Sequence, residues 1–272
     1  MSPGVRQFSE KAQRTWGLDL WSGPEDPDKD LLFFGLYQPD DYTIFENCIG
    51  NKSIFWCGSD IFRMLGDQNY IKLVTQPNII HYCETEVEAV NLIKAGILPE
   101  IIPSFLGDIK DYPVSFTPPI EGENWKMWLC GHPGREAEYG FNEAKELVNI
   151  FDNVEIHLYG VTGTSTNKIF YHGLVTEEQL DKDIRKYHCA LRGNFHDGIS
   201  EVVLKSLFLG QYPIARLPYE GVWQYKNFGE LIERVTDLQN QFEQNLKARS
   251  IWIKKINQFP FCRKDYWKSD ES

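Results

Sequence analysis

Short apolar runs of strand length alternate with amphipathic stretches along most of this chain. Residues 31–37, 53–57, 78–83 and 100–103 are such runs, and the spacing predicts a strand at each. Residues 40–48 and 61–65 read as helices between them. Thr85 and Glu88 form a capping box, which opens a helix with the apolar face Val87, Val90 and Ile93 and a stop at Gly96. After a Pro- and Gly-rich stretch the rhythm restarts. Strands are expected at 125–130, 154–159, 168–173 and 189–191, and helices over 141–151, from Thr176 (boxed with Gln179) to Tyr187, across Val202–Phe208 to a stop at Gly210, and over 229–240. Tyr212-Pro213-Ile214 begins a short extended piece, and 242–256 is a last amphipathic segment. This alternation implies an α/β protein with parallel strands joined by right-handed crossovers.

The boundaries follow from composition. Residues 1–30 are polar, with a short helix expected over 6–20 and a turn-rich segment at 22–28. The first lobe is read as 31–112, a linker as 113–124, a second lobe as 125–240, and a C-terminal helix with a basic-aromatic tail as 241–272. With 272 residues the chain is long enough for two small domains with real cores. A formal charge of −11 argues against a general nucleic-acid binder but not against a small anion held in a local positive field. The six cysteines are scattered without a CxxC pair, which points to reduced thiols and away from a zinc site. The N-terminus lacks an apolar leader, and no run approaches the roughly 20 residues of a membrane span. A cytoplasmic protein is therefore expected. Residues 241–272 hold seven Lys+Arg against four Asp+Glu among Ile251, Trp252, Ile253, Phe259, Phe261 and Trp267. That pattern fits either peripheral contact with an anionic membrane surface or packing back across both lobes.

Three loops lie at expected strand ends, where open α/β sheets bind ligands: 58–60, 131–140 and 192–200. The last leads into a helix start, an arrangement that presents backbone N–H groups to anions. The second half, from about residue 125 to about 235, carries a series of motifs in order. They are Gly131-His132-Pro133-Gly134-Arg135 with Tyr139-Gly140, Val154-Glu155-Ile156-His157-Leu158-Tyr159-Gly160, Ile169-Phe170-Tyr171-His172-Gly173, and His196-Asp197-Gly198-Ile199-Ser200 followed by Leu209-Gly210-Gln211-Tyr212-Pro213-Ile214. The series resembles the C-terminal lobe of GT-B glycosyltransferases, in particular the retaining family 4. In the first half, Trp56-Cys57-Gly58-Ser59-Asp60 resembles the family's His-Gly-Ser-Asp at a strand end, within a lobe that looks abbreviated.

The resemblance implies two Rossmann-like lobes of mostly parallel sheet facing a cleft. It also implies a nucleotide-diphosphate sugar donor and a sugar, lipid or glycan acceptor, with no metal or other cofactor. The catalytic candidates it yields are Asp60, Arg135 and Asp197. The donor-binding candidates are Gly134, Tyr139, His172, His196, Gly198, Ile199, Ser200 and Lys205. The chain departs from the family at three of these places. Cys57 replaces a His, Tyr139 stands where Lys is common, and Lys205 replaces the Glu that binds the nucleotide ribose. An ammonium only donates hydrogen bonds, so Lys205 is expected at a phosphate if it touches donor at all. Plain structural roles are open as well: Asp60, Asp197 or Ser200 as helix caps, Arg135 as a solvated partner of Glu136 or Glu138. The function expected is retaining glycosyl transfer. The alternatives are a non-catalytic GT-B-like binding or scaffolding protein and a sugar-nucleotide epimerase.

Overall fold

A computed structural model describes residues 11–13, 15–17 and 30–258. Most of the N-terminal helix expected over 6–20 lies outside them, as do the tail beyond Gln258 and Cys262. Residues 11–13 and 15–16 are helical, and Trp16 is buried against Phe34 and Phe55. The described residues form two compact units. One comprises residues up to Asp108 with His196–Ile199 and 255–258; the other comprises Ile109–Phe195 and Ser200–Lys254.

The first unit is built on four parallel strands in spatial order β1-β2-β3-β4: β1 (Leu31–Phe34), β2 (Lys52–Trp56), β3 (Ile79–Cys83) and β4 (Glu100–Ile101). Alternate residues serve opposite faces. Ile54 and Trp56 pack with Leu36, Phe45, Met64 and Leu92, while Phe55 packs with Trp16, Ile102 and Leu106 on the other side. Both faces are thus covered, which explains the continuous apolar runs. The helices are α1 (Pro39–Asn47), α2 (Ser59–Leu65), α3 (Gln68–Val74) and α4 (Glu86–Lys94). Sequence periodicity missed α3, which is seven residues long and follows the N-cap Asp67, whose side chain accepts from Asn69 N.

The capping box at Thr85 is present, but the expected apolar face of α4 is wrong. Glu88, Ala89 and Leu92 are buried, whereas Val87, Val90 and Ile93 are 41%, 54% and 52% exposed. The reason is the cap. Glu88 Oε2 accepts from both Glu84 N and Thr85 N at 2.9 Å, which turns the 88–89–92 face inward.

The second unit has six parallel strands: β5 (Trp125–Cys130), β6 (Val154–Tyr159), β7 (Ile169–Gly173), β8 (Cys189–Arg192), β9 (Ile214–Ala215) and β10 (Trp223–Gln224). Their spatial order is β10-β9-β8-β5-β6-β7, so the chain winds one way from β5 to β7 and the other way from β8 to β10. The helices are α5 (Phe141–Ile150), α6 (Glu177–Ile184), α7 (Glu201–Phe208) and α8 (Phe228–Leu238), followed by α9 (Leu246–Ile256). Met127, Leu129, Ile156, Leu158, Leu191 and Ile214 form the core with Phe141, Leu147 and Leu231. α6 ends at Ile184, short of the expected Tyr187. At its start Thr176 caps Gln179 N, while the Gln179 side chain donates to Asp183 instead of closing a box. The segment read as a linker packs within this unit. Ser115 N and Phe116 N both donate to Leu209 O, and Phe116 joins the core.

In α9, Trp252 is buried and donates to Glu220 O at 2.7 Å, so this aromatic is committed to packing. No helix among the described residues is long and apolar enough to cross a membrane. Cys48, Cys57, Cys83, Cys130 and Cys189 are free thiols.

Candidate functional site

In the second unit β5 and β8 are neighbours whose outgoing connections run in opposite directions. At such a switch point the loops leaving the two carboxyl ends diverge and leave a crevice, the usual ligand position in open α/β sheets. The loop after β5 is 131–140, and β8 ends on Arg192-Gly193. These two pieces cross at glycines. Gly193 N donates to Tyr139 O at 3.2 Å, and a Cβ on Gly193 would lie 2.5 Å from Gly140 Cα. The crossing brings two guanidiniums to one ring. The Arg192 guanidinium carbon lies 4.7 Å from the Tyr139 centroid, and that of Arg135 lies 5.7 Å from it. Both distances are within cation–π range. Arg135 also donates through Nε to Glu138 Oε2 at 3.0 Å while remaining half exposed. Gly134 sits in the same turn, its N–H directed to Glu136 Oε1.

The crossing thus gathers Gly134, Arg135, Tyr139 and Arg192, the last of which the sequence placed at the start of the 192–200 loop without a role of its own. Nearby, Arg216 binds Glu143 and covers Phe195 and Tyr225, which braces the chain after Gly193.

Lys205 and His172 are placed otherwise. Lys205 Nζ lies 2.8 Å from Asp181 Oδ1 and 3.1 Å from Glu177 Oε1, with its side chain 5% exposed. Burial opposes its charge, yet Tyr112, Glu201, Asp181 and Glu177 together hold its pKa above the ordinary lysine value. This ammonium is a buried tie between α7 and α6. His172 stacks on Tyr159 at 4.3 Å and shares a 3.0 Å hydrogen bond with His157, one ring nitrogen donating to the other. Burial keeps His172 below the usual imidazole range, and burial with the neighbouring His172 lowers His157 to about 3. His172 is half-buried and leaves a partly covered ring at the end of β7. Ser200 is the buried N-cap residue of α7 and makes no side-chain cap bond.

The remaining candidates belong to the first unit. Asp60 is fully buried. Its Oδ1 accepts from Cys57 N at 3.1 Å and Ile61 N at 3.0 Å, which closes the turn after β2. The Cys57 thiol is pushed up by burial and by Glu84 and Asp60. His196 meets Phe62 edge-on at 5.3 Å, and Asp197 and Gly198 run against Gly58. Ile199 N donates to Glu84 Oε2 at 2.8 Å, so an amide of the loop expected to grip donor phosphate is taken by a carboxylate of its own chain. Ser104 Oγ donates to Glu84 Oε1 at 2.6 Å. Glu84 was missed in the sequence because it looks like an ordinary strand end, and Glu88 was read there only as a capping residue.

Burial raises Asp60 to about 7 and Glu84 to about 8, hydrogen bonds offsetting part of the rise, and burial with Glu84 lifts Glu88 well above the carboxylate range. These carboxyls hold protons more tightly folded than unfolded, so stability falls as pH rises through the window between the two values. For Glu84 that window runs from 4.5 to about 8, with a slope of at most about 1.4 kcal/mol per pH unit. Urea unfolding between pH 5 and 8 should show this decline, and Glu84→Gln should flatten it. Parallel profiles for the two proteins would mean that Glu84 does not titrate in that window.

No protein-family model and no curated protein matches the sequence. Solved structures do match the fold. Anabaena HepE in complex with UDP superposes with a TM-score of 0.62 at 12% identity, covering 94% of this chain and 80% of that one. The apo form of WaaB, a lipopolysaccharide outer core galactosyltransferase, gives 0.61 at 9% identity over 94% and 76%. S. aureus TarM, in complex with Fondaparinux, alpha-GlcNAc-glycerol and UDP, gives 0.56 at 13% identity over 81% of this chain. The chain spans about half the length of TarM, 51%. Two parallel α/β units with these neighbours define the fold as that of the GT-B glycosyltransferases.

Proposed function

We propose that this chain transfers a sugar from a nucleotide-diphosphate donor to an acceptor hydroxyl with retention of anomeric configuration. The observation that carries the proposal is the Arg135–Tyr139 turn at the β5/β8 switch point of a GT-B fold. UDP in the HepE and TarM crystals supports a uridine nucleotide as the first donor base to test. In the reaction the bond between the anomeric carbon and the diphosphate oxygen breaks. Arg135 balances the charge that builds on the departing diphosphate, work that cations in a partly desolvated site do well. The acceptor oxygen then bonds to the same face of the anomeric carbon, and its proton passes to an oxygen of the leaving phosphate. Guanidinium groups rather than a metal ion carry the charge balance in this scheme. His172, stacked on Tyr159, would present the flat surface for the base.

Calorimetric titration with UDP tests the proposal, and micromolar binding is expected. Arg135→Ala should weaken it about tenfold, the loss of one charge-assisted contact. No heat with UDP or any other nucleoside diphosphate would reject the reading.

A second reading, a GT-B-like binding protein without catalysis, is favoured by one observation. Lys205 fills the place of the ribose-binding Glu and is bound to Glu177 and Asp181. Slow hydrolysis of a UDP-sugar in the absence of acceptor separates the two readings: the transferase shows it and the binding protein does not.

A further inference from the structure

We propose that the outward face of α4 is a self-association surface, on which a second copy of this chain docks antiparallel about a two-fold axis through Val90. Val87, Val90 and Ile93 are exposed, although they recur on one side of the helix as a buried stripe does. Leu98, just after the helix, and Ile101, on the edge strand β4, are exposed as well. Single apolar residues at a surface need no partner, but a stripe of them along a helix marks an interaction site. The proposal is independent of the donor-binding reading.

The order of residues along α4 selects the occupant. Val90 is the centre of the stripe, and Val87 and Ile93 lie three residues to either side of it. Glu86 and Lys94 lie four residues to either side, on opposite flanks about 40° from Val90. A two-fold axis through Val90 therefore sets Val87 against Ile93 of the second copy and Val90 against its own equivalent. It also sets Glu86 against Lys94 of the second copy, and each contact occurs twice. Glu86 and Lys94 are both exposed. Lys94 Nζ donates to Asn91 Oδ1 at 3.2 Å, and an ammonium has donors to share with a carboxylate. A parallel pair would instead set Glu86 against Glu86 and Lys94 against Lys94. Antiparallel helices also bring the positive end of each dipole beside the negative end of the other. An anionic membrane surface fits this face poorly, because it favours a basic rim and α4 opens on Glu86 and Glu88. The face of a nine-residue helix is a small interface, below about 1,200 Å² in total, so a dimer dissociating at about 10–100 μM is expected.

Sedimentation velocity on the full chain, over a concentration series spanning that range, should show a monomer–dimer equilibrium. Val90→Asp puts two carboxylates on the axis and should weaken the dimer about tenfold or more. Its urea unfolding midpoint should stay close to wild type, since the position is exposed. Glu86→Lys and Lys94→Glu should each weaken self-association, because each sets like charges together at both ends of the interface. An equimolar mixture of these two variants has opposite charges at both ends, so it should form a heterodimer with close to wild-type affinity. A chain that stays monomeric throughout the series would overturn the proposal. So would a dimer that Val90→Asp leaves unchanged, or a mixture no more associated than its components. If Val90→Asp fails to fold, the two charge variants, both at exposed positions, decide the matter by themselves.

Discussion

Changing Lys205 to glutamate should cost about 3–5 kcal/mol of stability. Lys205 is buried in α7, with Asp181 2.8 Å and Glu177 3.1 Å from its ammonium and the Tyr112 ring 5.4 Å away. Asp181 accepts a second bond from Tyr112 Oη at 2.8 Å, so its carboxylate is held beside the ammonium. A glutamate there would put a third carboxylate against two others with no cation between them. Either charge repulsion opens the contact between α6 and α7, or protons are taken up to relieve it. Lys205→Met removes the charge without adding one and should fall between wild type and Lys205→Glu. Urea unfolding of the three proteins at pH 7 checks the order. Equal midpoints would mean that the two ion pairs contribute nothing.

The second large effect is expected at Gly193. An alanine methyl there would stand 2.5 Å from Gly140 Cα, 2.6 Å from Gly140 N and 2.9 Å from the Tyr139 carbonyl carbon. All three are backbone atoms, so no side chain can swing aside, and relief requires the β8 end and the 131–140 loop to separate. Overpacking of this kind costs about 1–3 kcal/mol. Separation would also shift the Arg135–Tyr139 turn, so Gly193→Ala should lose UDP affinity by more than the stability change alone explains. Unfolding curves together with calorimetry measure both effects. Unchanged stability would show that the crossing is looser than its distances imply.

Much of the fold was legible because strands buried on both faces read as unbroken apolar runs. Residues 53–57, 125–130 and 154–159 fall almost residue for residue on β2, β5 and β6. Helix starts were legible where a side chain caps the backbone, as at Thr85 and Thr176. Short elements were not. α3 spans two turns and β10 two residues, and neither is long enough to show a period. The face of α4 was misread for a physical reason. Hydrophobic spacing pointed to Val87, Val90 and Ile93, but the bonds from Glu84 N and Thr85 N to Glu88 set the helix's rotation and left those residues exposed.

The candidate site divides along the same line. The Gly134–Arg135 turn and Tyr139 were legible, since they lie within one loop and local spacing carries them. The surroundings of Lys205, Glu84 and Arg192 were not, because each meets a partner far away in the chain: Glu177 and Asp181, Ile199, and Tyr139. The amino-acid pattern by itself determined an α/β protein of parallel strands, with ligand loops at strand ends and a resemblance confined to short motifs. Only the tertiary structure decided that β8 lies beside β5, and with it where the switch point falls. That decision rests on which strands share backbone hydrogen bonds, a non-local choice that no window of sequence records. It places Arg192 next to Tyr139 although 53 positions separate them in the chain.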